Sequence, residues 1–408
     1  MIRRGSSSRG KAAVRRVHRF FCRVSSWVVF AVGGGIAVLA VALLAFLQSA
    51  NGEPYLWTEG ISIWPTETLR LLVVIMAGWF FLKTNHSLKE NEGTILDQFG
   101  LSSKVPWPRF VRFSQRWRRA MLWMSAKTWC ADRSDKVIAH KLWKRYIRSS
   151  KLSLRLLRVL PLTIFFLLGA YALSQALGAP PVPARGSFSF ALDRWFLALA
   201  AASSIGLTFY IADATMLNRQ LINYLVVKET KWPLRAYQNL RRRWQASATP
   251  TTDIPPERLL DEYLDIDLIA TRTEVVGSLI YYPFVLITLL IVSRISLFDN
   301  WTWPLALFVA LACNGGYAIW SAATLRRTAE DARQAALKNL NDILIARTAE
   351  GQASGAEAQT ARETIAMISA EDRGAFAAIS RHPLIGALLL PSGGAGIWAL
   401  TQYLPNLF

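Results

Sequence analysis

Six apolar stretches of about 20 residues leave this chain few folds, because a helix of that length spans the hydrocarbon core of a bilayer. They run over Trp27–Leu47, Trp64–Leu82, Val159–Leu177, Trp195–Leu217, Val275–Ile295 and Trp303–Thr324. Backbone polar groups have no water partner in lipid, so each stretch must close its hydrogen bonds internally as a helix. Sixteen Trp and eleven Tyr in 408 residues fit the same reading, since their amphipathic rings collect at membrane–water interfaces.

A seventh apolar stretch, Leu384–Leu404, is broken at its centre by Pro391-Ser392-Gly393-Gly394-Ala395-Gly396. Pro391 removes a helix donor, and Gly393, Gly394 and Gly396 admit backbone conformations that a helix does not use. Such a break must be buried in protein or line a watery cavity. Two geometries satisfy this: a broken seventh span, or a re-entrant segment that returns the C-terminus to its starting side. The glycines would serve either a pore or binding site or close helix packing.

Lys and Arg set the orientation. Residues 1–24 carry eight basic side chains and no acid, and residues 83–157 carry seventeen Lys/Arg against five Asp/Glu. The connections at 49–61 and 179–193 together hold one basic residue, Arg185, and 297–302 holds none. Basic loops stay in the cytoplasm, so the N-terminus is expected there, in a bacterial inner membrane. The first apolar run is 21 residues long, which exceeds a signal-peptide core and reads as an uncleaved anchor.

The expected fold is therefore all-α: a polytopic bundle of three transmembrane hairpins (six spans) plus the Pro/Gly-broken segment, with cytoplasmic amphipathic helices. Its parts are a basic tail (1–24), hairpin one (25–82), basic aromatic-rich helices (83–157), hairpin two (158–217), a helical linker (218–274), hairpin three (275–324), a cytoplasmic helical hairpin (325–383) and the broken segment (384–408). Stretches 112–124 and 137–147 interleave aromatic with basic residues and read as amphipathic helices at the headgroups. The expected surface cations are Arg112, Arg116, Arg118, Arg119, Lys144, Arg145, Arg241, Arg242 and Arg243. The net charge of +20 matches an anionic bilayer surface, and nucleic acid is not expected.

Ionisable and polar groups inside spans are expensive and therefore functional candidates. Arg70 lies two turns into the second stretch, with Glu67 at the favourable i, i+3 offset; the two either neutralise each other or Arg70 reaches the outer headgroups. Asp213, one turn from the inner end of the fourth stretch, reads as a solvated helix end or as a gate or cation contact. Asn314 sits mid-membrane beside Gly315 and Gly316. The acidic run Asp261, Glu262, Asp265 and Asp267 lacks the glycine turn of a calcium loop and is expected to pair with basic helices at 108–157 or 235–243.

Catalytic motifs are missing. The four histidines follow no metal-protease spacing, and neither a phosphate-binding loop nor a nucleophile elbow occurs. Three scattered cysteines show no metal-type spacing, and disulfides are not expected. No metal or cofactor is expected. The leading expectation is a non-enzymatic pore-like or scaffold component whose cytoplasmic helices engage a second copy or a cytoplasmic protein. The rivals are a secondary transporter with a midplane site at the broken segment, and a membrane enzyme acting on lipid-linked substrates.

Overall fold

The computed structural model describes residues 32–40, 42, 63–101, 136–177, 187–227, 229–247, 257–293, 305–349 and 355–377. Nearly all of these are helical. Following the helical piece at 32–40, the elements are α1 (Ile63–Phe99), β1 (Lys136–Ile138), α2 (Ala139–Ser149), α3 (Leu152–Ala176), α4 (Ser187–Val227), β2 (Glu229–Lys231), α5 (Leu234–Ser247), α6 (Glu257–Leu279), α7 (Tyr281–Val292), α8 (Leu305–Ala349) and α9 (Ala356–Ala370). A 3-10 turn at Gly374–Phe376 follows. Five of the helical segments are long and apolar enough to cross a membrane: Thr66–Phe99, Leu152–Ala176, Arg194–Val226, Leu259–Val292 and Leu305–Ala349. The chain is a nearly all-helical, multi-pass membrane protein. The first apolar stretch lies largely outside the described residues, and the broken terminal stretch lies wholly outside them.

The helices are longer than their apolar stretches. α8 has 45 residues and α4 has 41, which at 1.5 Å per residue is about 68 Å and 62 Å against a hydrocarbon thickness of roughly 30 Å. The second stretch does not close at Lys83, because α1 continues without a break to Phe99. The linker helix at 256–274 and the fifth span are likewise joined end to end. Pro283 explains the single interruption between α6 and α7. Its missing N–H and its ring, which opposes the carbonyl four residues back at Leu279, end the regular ladder there.

All the polar extensions project from the same end of the bundle. They are the C-terminal parts of α1, α4 and α8 and the N-terminal part of α6, and contacts between α1, α4 and α6 bring them together. The hydrophobic core is continuous from the membrane level (Leu72, Met76, Phe80, Ile211, Leu286) into this polar end (Ile95, Phe99, Leu221, Leu260, Leu264). A length of helix outside the bilayer thus packs by the same apolar burial as a soluble domain.

Three features depart from the sequence reading. β1 pairs with β2 in parallel, with Val137 opposite Thr230, where only helix was expected. The amphipathic helix α2 turns its apolar face onto the protein and not onto lipid headgroups: Leu142, Trp143 and Tyr146 are buried. Its strong hydrophobic face was legible, but the surface covering it was not. The second helix of the terminal hairpin ends at Ala370 and not near 380. After it the chain hooks back onto α6. Gly374 takes φ +60°, and a Cβ there would lie 2.4 Å from the Ala270 carbonyl oxygen, so only glycine fits without strain.

Candidate functional site

At the junction between the apolar bundle and its polar end, α1, α2, α3, α4 and α6 converge on a layer of buried charge. Arg155 and Arg158 sit at i, i+3 on the first turns of α3, so both face α4. There the carboxylate of Asp213 receives Arg155 Nε at 3.0 Å, Arg158 Nε at 2.6 Å and Arg158 Nη2 at 2.9 Å. Arg155 also donates to the Tyr210 carbonyl at 2.6 Å and stacks its guanidinium 3.8 Å from the Tyr210 ring centre. Arg158 donates to the Ser149 carbonyl at 3.1 Å, which ties the end of α2 to α3. Asp213, with its side chain only 9% exposed, is therefore not a solvated helix end; its cation contacts are within the protein, where it is the shared counter-charge of two buried arginines.

One layer further out, Arg272 of α6 is 2% exposed. It donates to Asn91 Oδ1 at 2.6 Å, to the Leu88 carbonyl at 3.3 Å and twice to the Tyr146 hydroxyl. Tyr146 in turn donates to Asn218 Oδ1 at 3.0 Å, and Asn91 donates to the Thr271 carbonyl at 3.2 Å. Four helices, α1, α2, α4 and α6, are thus joined through one guanidinium. Burial pushes the Tyr146 phenol up, the positive charge of Arg272 pulls it down, and burial wins. The hydroxyl stays protonated and can serve Asn218 as donor.

A cavity of about 670 Å³ opens beside this layer. Its charged lining is Lys89, Glu92, Arg148, Lys151, Arg155 and Arg272, five cations against one carboxylate. Asp213 neutralises part of this from behind Arg155, but it also serves Arg158, so the local balance stays positive. Ser150 bridges to Glu92 at 3.3 Å. Leu88, Ile147, Leu152, Leu154 and Leu217 give the wall an apolar part, beside the polar Asn85, Tyr146 and Ser153.

The residues singled out by sequence fall in several places. Glu67 and Arg70 pair at 3.0 Å, and both are buried, at 1% and 0% exposure. Arg70 therefore does not reach for the outer surface. Asn314 is 1% exposed in α8, and neither polar atom of its amide finds a hydrogen bond among the described residues. Lys144 and Arg145 lie half-buried on α2. Arg241, Arg242 and Arg243 lie on α5, where Arg243 turns inward to Asp267 at 3.1 Å. With Thr94, Asp97, Gln98 and Asn239, Arg242 and Arg243 border a shallow basin. Arg112, Arg116, Arg118, Arg119, Pro391, Gly393, Gly394 and Gly396 lie outside the described residues.

The acidic run holds together the polar end. Asp261 accepts from Tyr237, Asp265 accepts from Thr230 and from Trp232 Nε1, and Asp267 accepts from Arg243 and Arg373. Among the described residues no cluster of His, Cys, Asp and Glu is arranged to hold a metal ion.

Sequence reading passed over Arg155, Arg158, Arg272 and Tyr146. A signal existed for the first two: two arginines one turn apart at the head of a span, at the same membrane depth as Asp213 near the end of the next. Comparisons with family models, curated proteins and solved structures find no match to this chain.

Proposed function

We propose that the protein is a non-enzymatic scaffold of a bacterial inner membrane. Six spans hold an N-terminus and a packed helical body on the cytoplasmic side, and that body engages a second copy or a cytoplasmic protein. One observation supports this reading: α1, α4 and α8 continue from the membrane as unbroken helices, α6 joins its span across the interruption before Pro283, and α1, α4 and α6 are cross-linked beyond their apolar stretches by buried polar bonds. A rigid connection of this kind fixes the position of whatever docks on the polar end. The far turns of α8 present exposed Ile343 and Ile345, at the distal end of a rod about 68 Å long.

The test has two parts. A reporter that is active only in the cytoplasm, fused after Ala349, should report in cells, and activity of a periplasmic reporter there would invert the arrangement. A photo-crosslinking residue at Ile345 should give one reproducible adduct, with a second copy or a single cytoplasmic protein. No adduct at Ile345, Ile343 or neighbouring exposed positions would defeat the scaffold reading.

The transporter reading keeps one supporting observation, the buried amide of Asn314, which has no hydrogen-bond partner among the described residues. An amide left dry costs about 1–3 kcal/mol, so Asn314→Leu should be neutral or stabilising in a scaffold. Loss of a saturable uptake activity in that variant would favour transport instead.

A further inference from the structure

The 670 Å³ cavity is built unlike the rest of the surface. Lys89 of α1, Arg148 of α2 and Lys151 between α2 and α3 stand around its mouth, and the buried Arg155 and Arg272 form its back. Arg272 has no carboxylate hydrogen-bonded to it among the described residues, only Tyr146, Asn91 and a carbonyl. Arg155 shares its single carboxylate with Arg158. Charge of this kind, held in a partly enclosed space, favours an anion. The N-terminus of α3 adds to it: this helix of 25 residues has no acid in its first turn and no side-chain cap, so the positive end of its dipole contributes to the potential there.

The second half of the argument is apolar. Leu152 lines the cavity and begins a stripe along α3 at i, i+4 spacing: Leu152, Leu156, Leu160, Ile164 and Leu168. Of these, Leu152, Leu160, Ile164 and Leu168 are 42–63% exposed among the described residues. The stripe runs from the cavity mouth down the most apolar length of the helix, into the level of the hydrocarbon. A small phosphate would use only the cations. A molecule with an anionic head and long acyl tails would use both surfaces at once.

We propose that this cavity seats the phosphate headgroup of an acidic phospholipid, whose acyl chains lie along the Leu152–Leu168 face of α3. Lys89, Arg148 and Lys151 meet the phosphate oxygens at the mouth, while the buried arginines set the potential behind them. Basic recesses between spans on the cytoplasmic side are suited to such headgroups. The proposal shares the membrane orientation given above but not the scaffold role, so a failure to retain lipid leaves the crosslinking result unaffected.

The full-length protein, purified in a neutral detergent and stripped of lipid, is titrated with phosphatidylglycerol or phosphatidylcholine. Retention is read by intact-complex mass spectrometry and by thermal shift. Phosphatidylglycerol should be retained as a discrete adduct that raises Tm, and phosphatidylcholine should not. Lys89→Gln/Arg148→Gln/Lys151→Gln should weaken retention by roughly tenfold or more. A charge-matched control at exposed positions away from the cavity, Lys141→Gln/Arg327→Gln/Lys338→Gln, should leave it unchanged. Ser153→Glu guards against misfolding as the cause: an acid in the first turn of α3 favours the helix, so lipid should be lost while the lipid-free Tm holds. Equal weakening in the control, undiminished retention in the cavity variants, or equal binding of glycerol 3-phosphate without acyl chains would each overturn the proposal.

Discussion

The hydroxyl of Tyr146 accepts two N–H bonds from Arg272, from Nε at 3.0 Å and from Nη2 at 2.7 Å. Its own proton goes to Asn218. One phenol thereby connects α2 to both α4 and α6, and it takes two of the four hydrogen bonds that a buried guanidinium donates. Tyr146→Phe keeps the ring packed against Trp143, whose centre lies 5.3 Å away, but removes all three hydrogen bonds. A buried charged donor left short of acceptors costs about 1–3 kcal/mol. The variant should melt several degrees lower, with α2 amides exchanging faster than those of α3. An unchanged Tm would mean that water replaces the phenol, and that the junction is wetter than the structure indicates.

Asp213 gives a sharper contrast. Removing the shared counter-charge by Asp213→Ala leaves Arg155 and Arg158 buried with no carboxylate, a loss on the order of 3–5 kcal/mol. Replacing the whole group with apolar side chains of similar size, as in Asp213→Leu/Arg155→Met/Arg158→Met, should recover most of that stability, since a buried ion cluster is a poor stabiliser against good packing. Thermal melts of both variants in the same detergent decide the matter. If the triple variant is as unstable as the single one, the cluster acts through the remaining hydrogen bonds to Tyr210 and Ser149 and not through charge balance.

Gly374 holds the terminal hook in place by having no side chain. With φ at +60° and the Ala270 carbonyl and Glu274 amide within 2.7 Å of a built Cβ, Gly374→Ala pays a left-handed backbone cost of about 1–2 kcal/mol and meets rigid backbone as well. The hook should detach while the spans stay intact. Limited proteolysis should then cut within 371–377 in the variant and not in the parent. Equal resistance in both would show that the hook contributes nothing to docking the hairpin on α6.

Apolar runs made the spans legible, since lipid imposes a length and a composition on each. The helix ends were less so, because polar residues do not stop a helix. After Lys83 the chain has no proline until Pro106, and the first strong stop is Gly100, which takes φ +63° immediately beyond α1. That glycine was a readable signal. The acidic run was correctly matched with the 235–243 region in the case of Arg243 and Tyr237, whereas the partners of Asp265, Thr230 and Trp232, depended on a two-strand pairing that short polar sequences do not announce. The candidate site was harder still. Arg272, Tyr146, Asn91 and Asn218 come from four separate helices, and each reads alone as an ordinary interface residue. Only their convergence distinguishes them.

The hook also carries a pH dependence. Burial tends to raise the Glu371 carboxyl, but hydrogen bonds and positive charge from Arg373 outweigh it and hold it below its ordinary value. The same bonds, with those to Asp267, push Arg373 higher. A carboxyl whose folded value is depressed adds stability that is complete above its unfolded value of about 4.3 and is lost as pH falls through the lower folded value. Docking of 371–377 onto α6 should therefore be unchanged from pH 7 to about pH 5 and should weaken below that, as Glu371 takes up a proton and Arg373 keeps only Asp267. Hydrogen exchange of the Ala375 amide, which donates to Thr273 Oγ1 at 2.9 Å, reports the event directly. After correction for the intrinsic pH dependence of exchange, its protection should fall at acidic pH in the parent. In Glu371→Gln protection should already be lower at pH 7 and should vary less with acid. If the two proteins lose protection in parallel, the acid sensitivity belongs to another group, and the Glu371–Arg373 pair is a passive contact.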